Sequence, residues 1–221
     1  MIYLQNSKKL HYNKKYFDWQ KKAGLYGAEQ DVWMYQSFIK EDHKVLDFGC
    51  GGGYMLDKIN SKTKYGVDIN PLARKEAGKK GIKVFEKIEN TPKGIKFDVI
   101  FTHHTLEHLE SPAEILKTMK KYLKLGGLLI CVVPIDDWRI EKKYISADIN
   151  KHFYTWSPLL LGNLFVHCGY KIKNIQIIER AWVPLSRFYY SHIPKFIYNF
   201  FSLLWSKLTL SRQIRIVAQI S

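Results

Sequence analysis

The residues with chemistry to offer fall into two groups. The first is the loop VLDFGCGGG at 45–53, where a short apolar run passes straight into Gly49-Cys50-Gly51-Gly52-Gly53 and then a helical stretch near Tyr54. Glycines so placed let the backbone turn tightly and approach a ligand closely. Asp68 follows Asp47 by 21 residues, at the end of the next apolar run. A carboxylate there can accept hydrogen bonds from ribose hydroxyls, so the spacing points to a nucleoside. A dinucleotide loop would read G-x-G-x-x-G and hold a diphosphate. Here Asp47 stands two residues before Gly49, and an acid in that place suits a ligand bearing an ammonium. The second group is His103, His104 and His108 just beyond the run 97–102, with His152 further on. Imidazole titrates near neutrality, which suits removal of a proton from an attacking hydroxyl. His104-x-x-Glu107-His108 also has the letters of an inverted zinc-protease motif. That chemistry needs a long helix and a further carboxylate ligand, whereas this run starts at a strand end, so no metal ligand is assigned.

The elements that must position these residues alternate along the chain. The runs 44–48, 64–68, 82–86, 97–102 and 127–133 are near-continuously apolar, as strands buried on both faces of a parallel sheet require. Residues 112–123 predict a helix with Ser111 as cap, Glu114 completing a capping box, Ile115, Leu116, Met119 and Leu123 on one face, and Gly126 and Gly127 as the stop. Upstream, 17–39 reads as one or two aromatic-rich helices, with Gly24 and Gly27 as candidate breaks. Residues 134–157 carry acids, bases and aromatics without a period, which predicts a long loop or lid. A helix over 158–168 and a strand over 171–179 follow, and the alternating QIRIVAQI (213–220) suits a final antiparallel strand.

At 221 residues with 46% hydrophobic and 25% charged, the chain is an ordinary globular one and excludes disordered and disulfide-dense classes. Cys50, Cys131 and Cys168 have neither even number nor metal spacing and read as packed thiols in a reducing compartment. The start, Met1-Ile-Tyr-Leu-Gln, predicts no secretory signal. The net charge of +15 would attract anionic surfaces. It is uneven: residues 171–221 carry eight basic side chains against the single acid Glu179. Within that tail, IPKFIYNFFSLLWSKL (193–208) has only eleven residues between Lys195 and Lys207, too few for a spanning helix, which needs about 20. Its alternatives are an anionic membrane interface with Arg187, Lys195, Lys207, Arg212 and Arg215 flanking the apolar stretch, a homodimer contact, or burial against the chain's own sheet.

Taken together, these motifs resemble the class I S-adenosylmethionine-dependent methyltransferases over about 44–180. VLDFGCGGG is similar to their first motif, YGVDIN (65–70) to their second, FDVIFTHHTLEHL (97–109) to their fourth, and LKLGGLLICVVP (123–134) to the strand after the helix. The resemblance implies an α/β, Rossmann-like sheet of seven strands in order 3-2-1-4-5-7-6, strand 7 antiparallel, with helices on both faces. Length and patterning read as one domain, 1–221, with 1–43 as a helical cover, 44–133 as the cofactor-binding core, 134–157 as a lid and 181–212 as an apolar basic embellishment. The implied cofactor is S-adenosylmethionine, with S-adenosylhomocysteine as product. Asp47, Gly49, Cys50, Gly51 and Gly53 would line its loop, Asp68 would hold the ribose and Ile69 would lie beside adenine, with Glu86, Thr102 and Trp19 around them. His104, His152 and His103 are the candidate catalytic groups, and Glu107-His108 reads as a packing pair. Methyltransferases of the ubiquinone-biosynthesis type look similar here and hold a divalent ion; this chain has His104 where they have an acid, and a metal is the alternative rather than the expectation.

More narrowly, YFDWQKKAGLYG (16–27) and HFYTWSPLLLGNLF (152–165) resemble a bacterial subgroup associated with polysaccharide biosynthesis. They would bring Tyr16 and Trp19 from one side of the acceptor and His152, Tyr154 and Trp156 from the other. The implied activity is O-methylation of a sugar or glycolipid in surface-glycan biosynthesis, in the cytoplasm or at the inner face of its membrane. Alternatives are a quinone-type or RNA methyltransferase and a non-catalytic cofactor-binding module. The +15 charge favours RNA, but no appended RNA-binding motif or N-P-P-Y signature accompanies it, so no specific nucleic acid partner is expected.

Overall fold

The computed structural model describes residues 14–140, 142–185 and 190–220. Arg187, one of the basic residues flanking the apolar stretch, lies outside them. The elements are α1 (Lys14–Asp31), α2 (Trp33–Gln36), β1 (Lys44–Phe48), α3 (Tyr54–Lys58), β2 (Thr63–Val67), α4 (Pro71–Gly78), β3 (Lys83–Phe85), β4 (Phe97–His103), α5 (Pro112–Tyr122), β5 (Leu123–Ile135), α6 (Pro158–His167), β6 (Lys171–Ile178), α7 (Lys195–Thr209) and β7 (Arg212–Gln219). The seven strands form one sheet in the order β3-β2-β1-β4-β5-β7-β6. The first five run parallel, and β7 inserts antiparallel between β5 and β6. This is the Rossmann-like arrangement that the motif order implies.

Both faces of the sheet are covered, which is why its central strands are apolar throughout. On one face Leu46, Ile100, Leu129, Cys131 and Ile216 pack beneath Leu116, Met119, Leu161 and Phe165 of α5 and α6. On the other, Val45, Val99, Phe101, Ile130 and Val217 pack beneath Met34, Tyr35, Met55 and Leu56. The three cysteines are free thiols, all buried. No helix among the described residues is long and apolar enough to cross a membrane.

Local expectations meet three corrections. Ser111 precedes α5, but its side chain makes no capping hydrogen bond, and Pro112 at the first turn starts the helix without one. The helix ends at Tyr122 rather than at Gly126 and Gly127, because β5 begins at Leu123 and carries both glycines. The N-terminal helices break at Val32 rather than at Gly24 or Gly27. Those two glycines sit inside α1 where a Cβ would meet the Tyr54 ring at 2.7 Å and the Trp182 ring at 2.9 Å, so they serve close packing of α1 instead.

Candidate functional site

The loop after β1 is shaped by the strand beside it. The backbone N–H groups of Gly49 and Cys50 both donate to Val67 O, at 2.8 and 3.0 Å. Gly49, Gly51 and Gly53 have φ of 84°, 52° and 73°, conformations that disfavour any side chain. Asp68 braces the loop: its Oδ2 accepts from Gly51 N at 2.8 Å and its Oδ1 from Asn70 N at 2.8 Å. Each oxygen keeps a lone pair for a further donor.

A cavity of about 580 Å³ opens at the carboxyl ends of β1, β4 and β5, where parallel α/β sheets bind their ligands. Of the predicted cofactor residues, Trp19, Asp47, Gly49, Cys50 and Gly51 line it. Gly53 is not in its wall, because its Cα faces Ile82 and Ala77 and its missing side chain serves the packing of α4. Gly52, which the sequence reading passed over, lines the wall instead. Thr102 is buried in β4 with its hydroxyl unpartnered among the described residues, and it does not reach the wall. Asp68, Ile69 and Glu86 stand outside the cavity on an open shelf around Arg74, which donates to the carbonyls of Asp68 and Ile69 and pairs with Glu86 at 3.5 Å.

Acids at the wall carry unusual charge states. Asp47 is buried with Oδ1 unpartnered among the described residues, and burial, then the neighbouring Asp68, pushes its carboxyl well above the usual range. Asp31, at the end of α1, also lines the cavity. Burial raises it to about 7 against the opposing charge of Arg180.

The histidines diverge. His103 and His104 both line the cavity although strand alternation would turn one of them away. His104 has φ of 49°, which breaks the alternation and stacks the two rings at 4.5 Å with 5° between planes. His103 Nδ1 is hydrogen-bonded to Tyr35 OH at 2.7 Å, and its Nε2 lies 3.9 Å from Asp31 Oδ2. His104 Nε2 donates to Gln213 Oε1 at 2.9 Å. Burial keeps both imidazoles below their ordinary pKa, His103 the further. His152 behaves oppositely: burial would lower it, but its Nδ1 bond to Asp136 Oδ2 at 2.8 Å and the charge of that carboxylate outweigh burial and raise it. The Asp136 bond fixes Nδ1 as the protonated nitrogen and leaves Nε2 with its lone pair.

Asp136 is itself anchored. Its N–H donates to Thr155 Oγ1 at 2.9 Å, and that hydroxyl donates back to Asp136 O at 3.2 Å, so the backbone at 136 and 155 is held together beside the Asp136–His152 pair. Asp137 accepts from Arg139 and, at 2.9 Å, from Arg212 at the start of β7. Arg139 holds the Asp137 carboxyl well below the usual range.

Two predicted acceptor aromatics are placed elsewhere. Trp156 is buried in the core under α6, and Tyr154 donates from its hydroxyl to Glu110 O at 3.0 Å; neither lines the cavity, while Tyr16 does. Sequence reasoning missed Asp31, Asp136, Arg180, Trp182 and Gln213 as cavity residues. Only Gln213 carried a signal, being on the polar side of the alternating terminal strand.

Glu107, expected as a packing residue, is fully buried, and neither carboxylate oxygen has a hydrogen-bond partner among the described residues. Burial raises it to about 8, so it is protonated at neutral pH. Glu107, His108 and His152 offer ligand atoms within 4.8 Å of one another.

Comparisons with known proteins agree with this architecture. The chain is 29% identical over 129 residues to the ubiquinone biosynthesis O-methyltransferase of Roseobacter denitrificans, covering 52% of this chain and 50% of that one. It is 28% identical over 200 residues to the tRNA U34 carboxymethyltransferase of Glaesserella parasuis, covering 78% and 62%. The chain thus spans between about half and about three-fifths of the length of these curated relatives. Among solved structures, the putative methyltransferase of Haloferax volcanii, solved in complex with the Trm112 methyltransferase activator, has the same fold at a TM-score of 0.67 and 15% identity, covering 95% of this chain and 99% of that one. A family model described as a methyltransferase domain matches residues 16–175. With that match spanning the glycine loop, the histidine segment, the first five strands and part of β6, the chain belongs to the methyltransferase domain family, of the class I S-adenosylmethionine-dependent kind.

Proposed function

We propose that the protein transfers a methyl group from S-adenosylmethionine to a hydroxyl oxygen of a small acceptor, and that this acceptor is a sugar or glycolipid. The observation that carries the oxygen chemistry is the Asp136–His152 hydrogen bond in the cavity wall. The chain's own residues suit the cofactor. Buried Asp47 Oδ1 lacks a donor, and an ammonium would satisfy it. Gly51 lies in the cavity wall at a φ of 52° that disfavours a side chain, so its bare backbone faces the ligand space beside the Gln20 side chain.

When bound, S-adenosylmethionine supplies an electrophilic methyl group on a sulfonium. The Gly49–Gly52 backbone and Asp47 would hold its amino-acid end, and Asp68 its ribose. His152 Nε2 would take the proton from the acceptor hydroxyl, and Asp136 would stabilise the imidazolium that forms. His104, whose Nε2 partner is the neutral Gln213 amide and whose imidazole burial holds below its ordinary pKa, is the poorer proton acceptor and would orient the acceptor instead. A positioned base of this kind contributes roughly 10²–10⁴-fold to rate.

Calorimetric titration with S-adenosylmethionine, followed by turnover on glycolipid extracts, tests the proposal. Binding without turnover on any hydroxyl acceptor would instead support a non-catalytic module. A ring hydroxyl of a quinone precursor is the second reading, favoured by the similarity to the ubiquinone biosynthesis O-methyltransferase. The similarity to the tRNA U34 carboxymethyltransferase and the +15 charge favour an RNA acceptor as a third. Salt-dependent, saturable tRNA binding would select it.

A further inference from the structure

Helix α7 is turned inside out. Its buried positions are Tyr198, Ser202 and Ser206, spaced four apart on one face. Ser202 Oγ donates to Ala181 O at 2.7 Å, Ser206 Oγ donates to Ser211 O at 2.5 Å, and Tyr198 OH meets Tyr26 OH at 3.1 Å. The opposite face offers water Phe196 (75% exposed), Phe200 (59%), Leu204 (42%) and Leu208 (77%). A helix that buries its serines and exposes its phenylalanines is built for an apolar neighbour on its outer side.

The surroundings identify that neighbour. Lys195 and Lys207 lie exposed at the two ends of the helix. The sequence from Arg180 to Ser221 contains no acid at all. A second copy docked on this face would set like charges against each other, whereas an anionic lipid surface would complement them. Fifteen residues make a helix about 22 Å long, short of the ~30 Å hydrocarbon core, so α7 can lie in an interface and not cross it. A second apolar rim stands beside it. Trp138 (78% exposed), Tyr144 (92%), Lys142 and Lys143 are exposed, and Asp137, next to Trp138, pairs with Arg212 at the start of β7, three residues past α7. On its inner side α7 contributes Trp205 and Thr209 to the same cavity wall as Asp136 and His152.

We propose that α7, with the exposed Trp138 and Tyr144 side chains, docks the protein on an anionic lipid surface, so that a membrane-borne amphiphile presents its head group to the cavity beside the helix. The docking rests on the helix alone, while the amphiphilic acceptor rests on the hydroxyl-methylation reading above.

The test is co-sedimentation of the full chain with vesicles of phosphatidylcholine, alone or mixed with phosphatidylglycerol, at low and high salt. The expected result is binding to the mixed vesicles only, released by salt, and weakened about tenfold or more in the double variant Phe200→Ser, Leu204→Ser, as loss of buried apolar area demands. Both side chains point outward, and an unchanged calorimetric affinity for S-adenosylmethionine reports that the variant is folded. Failure to bind either vesicle overturns the docking. So does sedimentation-velocity evidence of a dimer that the double variant dissolves, since the face would then pair two copies; undiminished vesicle binding by the variant removes α7 from the role. Vesicle binding is read without any acceptor: docking without turnover on membrane lipids defeats the hydroxyl reading alone, and turnover without docking defeats this one.

Discussion

The two ends of the cavity are built by opposite means. The end proposed for the cofactor is assembled from neighbours in sequence, Asp47 to Gly52, whose backbone geometry is imposed by hydrogen bonds to Val67 and Asp68. The end proposed for the acceptor gathers Asp31, His103, Asp136, His152, Arg180, Trp205 and Gln213 from seven separate stretches of the chain. Backbone holds the first and side-chain pairs hold the second. A local loop can be tuned only by changing its shape, whereas a set of paired side chains can be re-paired one residue at a time, which suits the end that must recognise an acceptor.

The sharpest way to break the comparison is at the acceptor end. His152→Ala should lower the rate of methyl transfer by about 10²–10⁴-fold while leaving S-adenosylmethionine affinity unchanged, measured by single-turnover kinetics and calorimetry. An equal loss in both would mean the two ends are one unit. The pH profile refines this. Because Asp136 raises the His152 pKa, and only neutral imidazole can accept the proton, the rate should rise with pH through a limb above the ordinary histidine value near 6.5. In Asp136→Asn the limb should move to lower pH and the plateau should fall.

At the cofactor end, Gly49→Ala should weaken S-adenosylmethionine binding by tenfold or more. The residue sits at φ of 84° and a Cβ would overlap the Thr105 side chain, a strain of ~1–2 kcal/mol before any clash. Calorimetry with unchanged affinity would show that the loop shape is not what binds.

Glu107→Gln separates stability from chemistry. Burial pushes the folded carboxyl up to about 8, above the ordinary glutamate value of 4.5, so the folded state holds the proton more tightly than the unfolded one. Stability from this group is therefore full at pH below 4.5 and falls as pH rises towards 8. The variant, which cannot ionise, should unfold a few degrees higher near pH 8 and show a flatter pH dependence of Tm in thermal melts. The smallest effect is expected in α1: Gly27→Ala presses the helix against the half-exposed Trp182 ring, which can yield, and alanine favours the helix, so the net cost should stay below about 1 kcal/mol in chemical denaturation.

Much of the fold was legible because its determinants are local. Apolar runs of strand length between helical stretches, punctuated by glycine and proline, describe a parallel sheet one segment at a time, and the alternation at 213–220 marks the late antiparallel strand. The glycine loop was legible for the same reason, but its detail was not: Gly52 and Gly53 exchange places because the direction each Cα faces depends on Ile82 and Ala77, far along the chain. The histidines were visible as a cluster without roles. Their difference comes from partners, Gln213 for His104 and Asp136 for His152, and sequence distance carries no record of which partner arrives. The φ of 49° at His104, which turns two consecutive side chains into one cavity, likewise defeats any reading by alternation.

By itself, the sequence determined where the strands and helices fall along the chain and the glycine loop between them, because hydrophobic period and glycine spacing act over a few residues, while the order of strands in the sheet came only with the family resemblance. Only the tertiary structure decided which histidine is coupled to a carboxylate, which acids are buried at the wall, and that α7 turns its serines inward and its phenylalanines out. Those outcomes depend on desolvation and on contacts between stretches more than a hundred residues apart, such as His104 with Gln213 and Tyr26 with Tyr198.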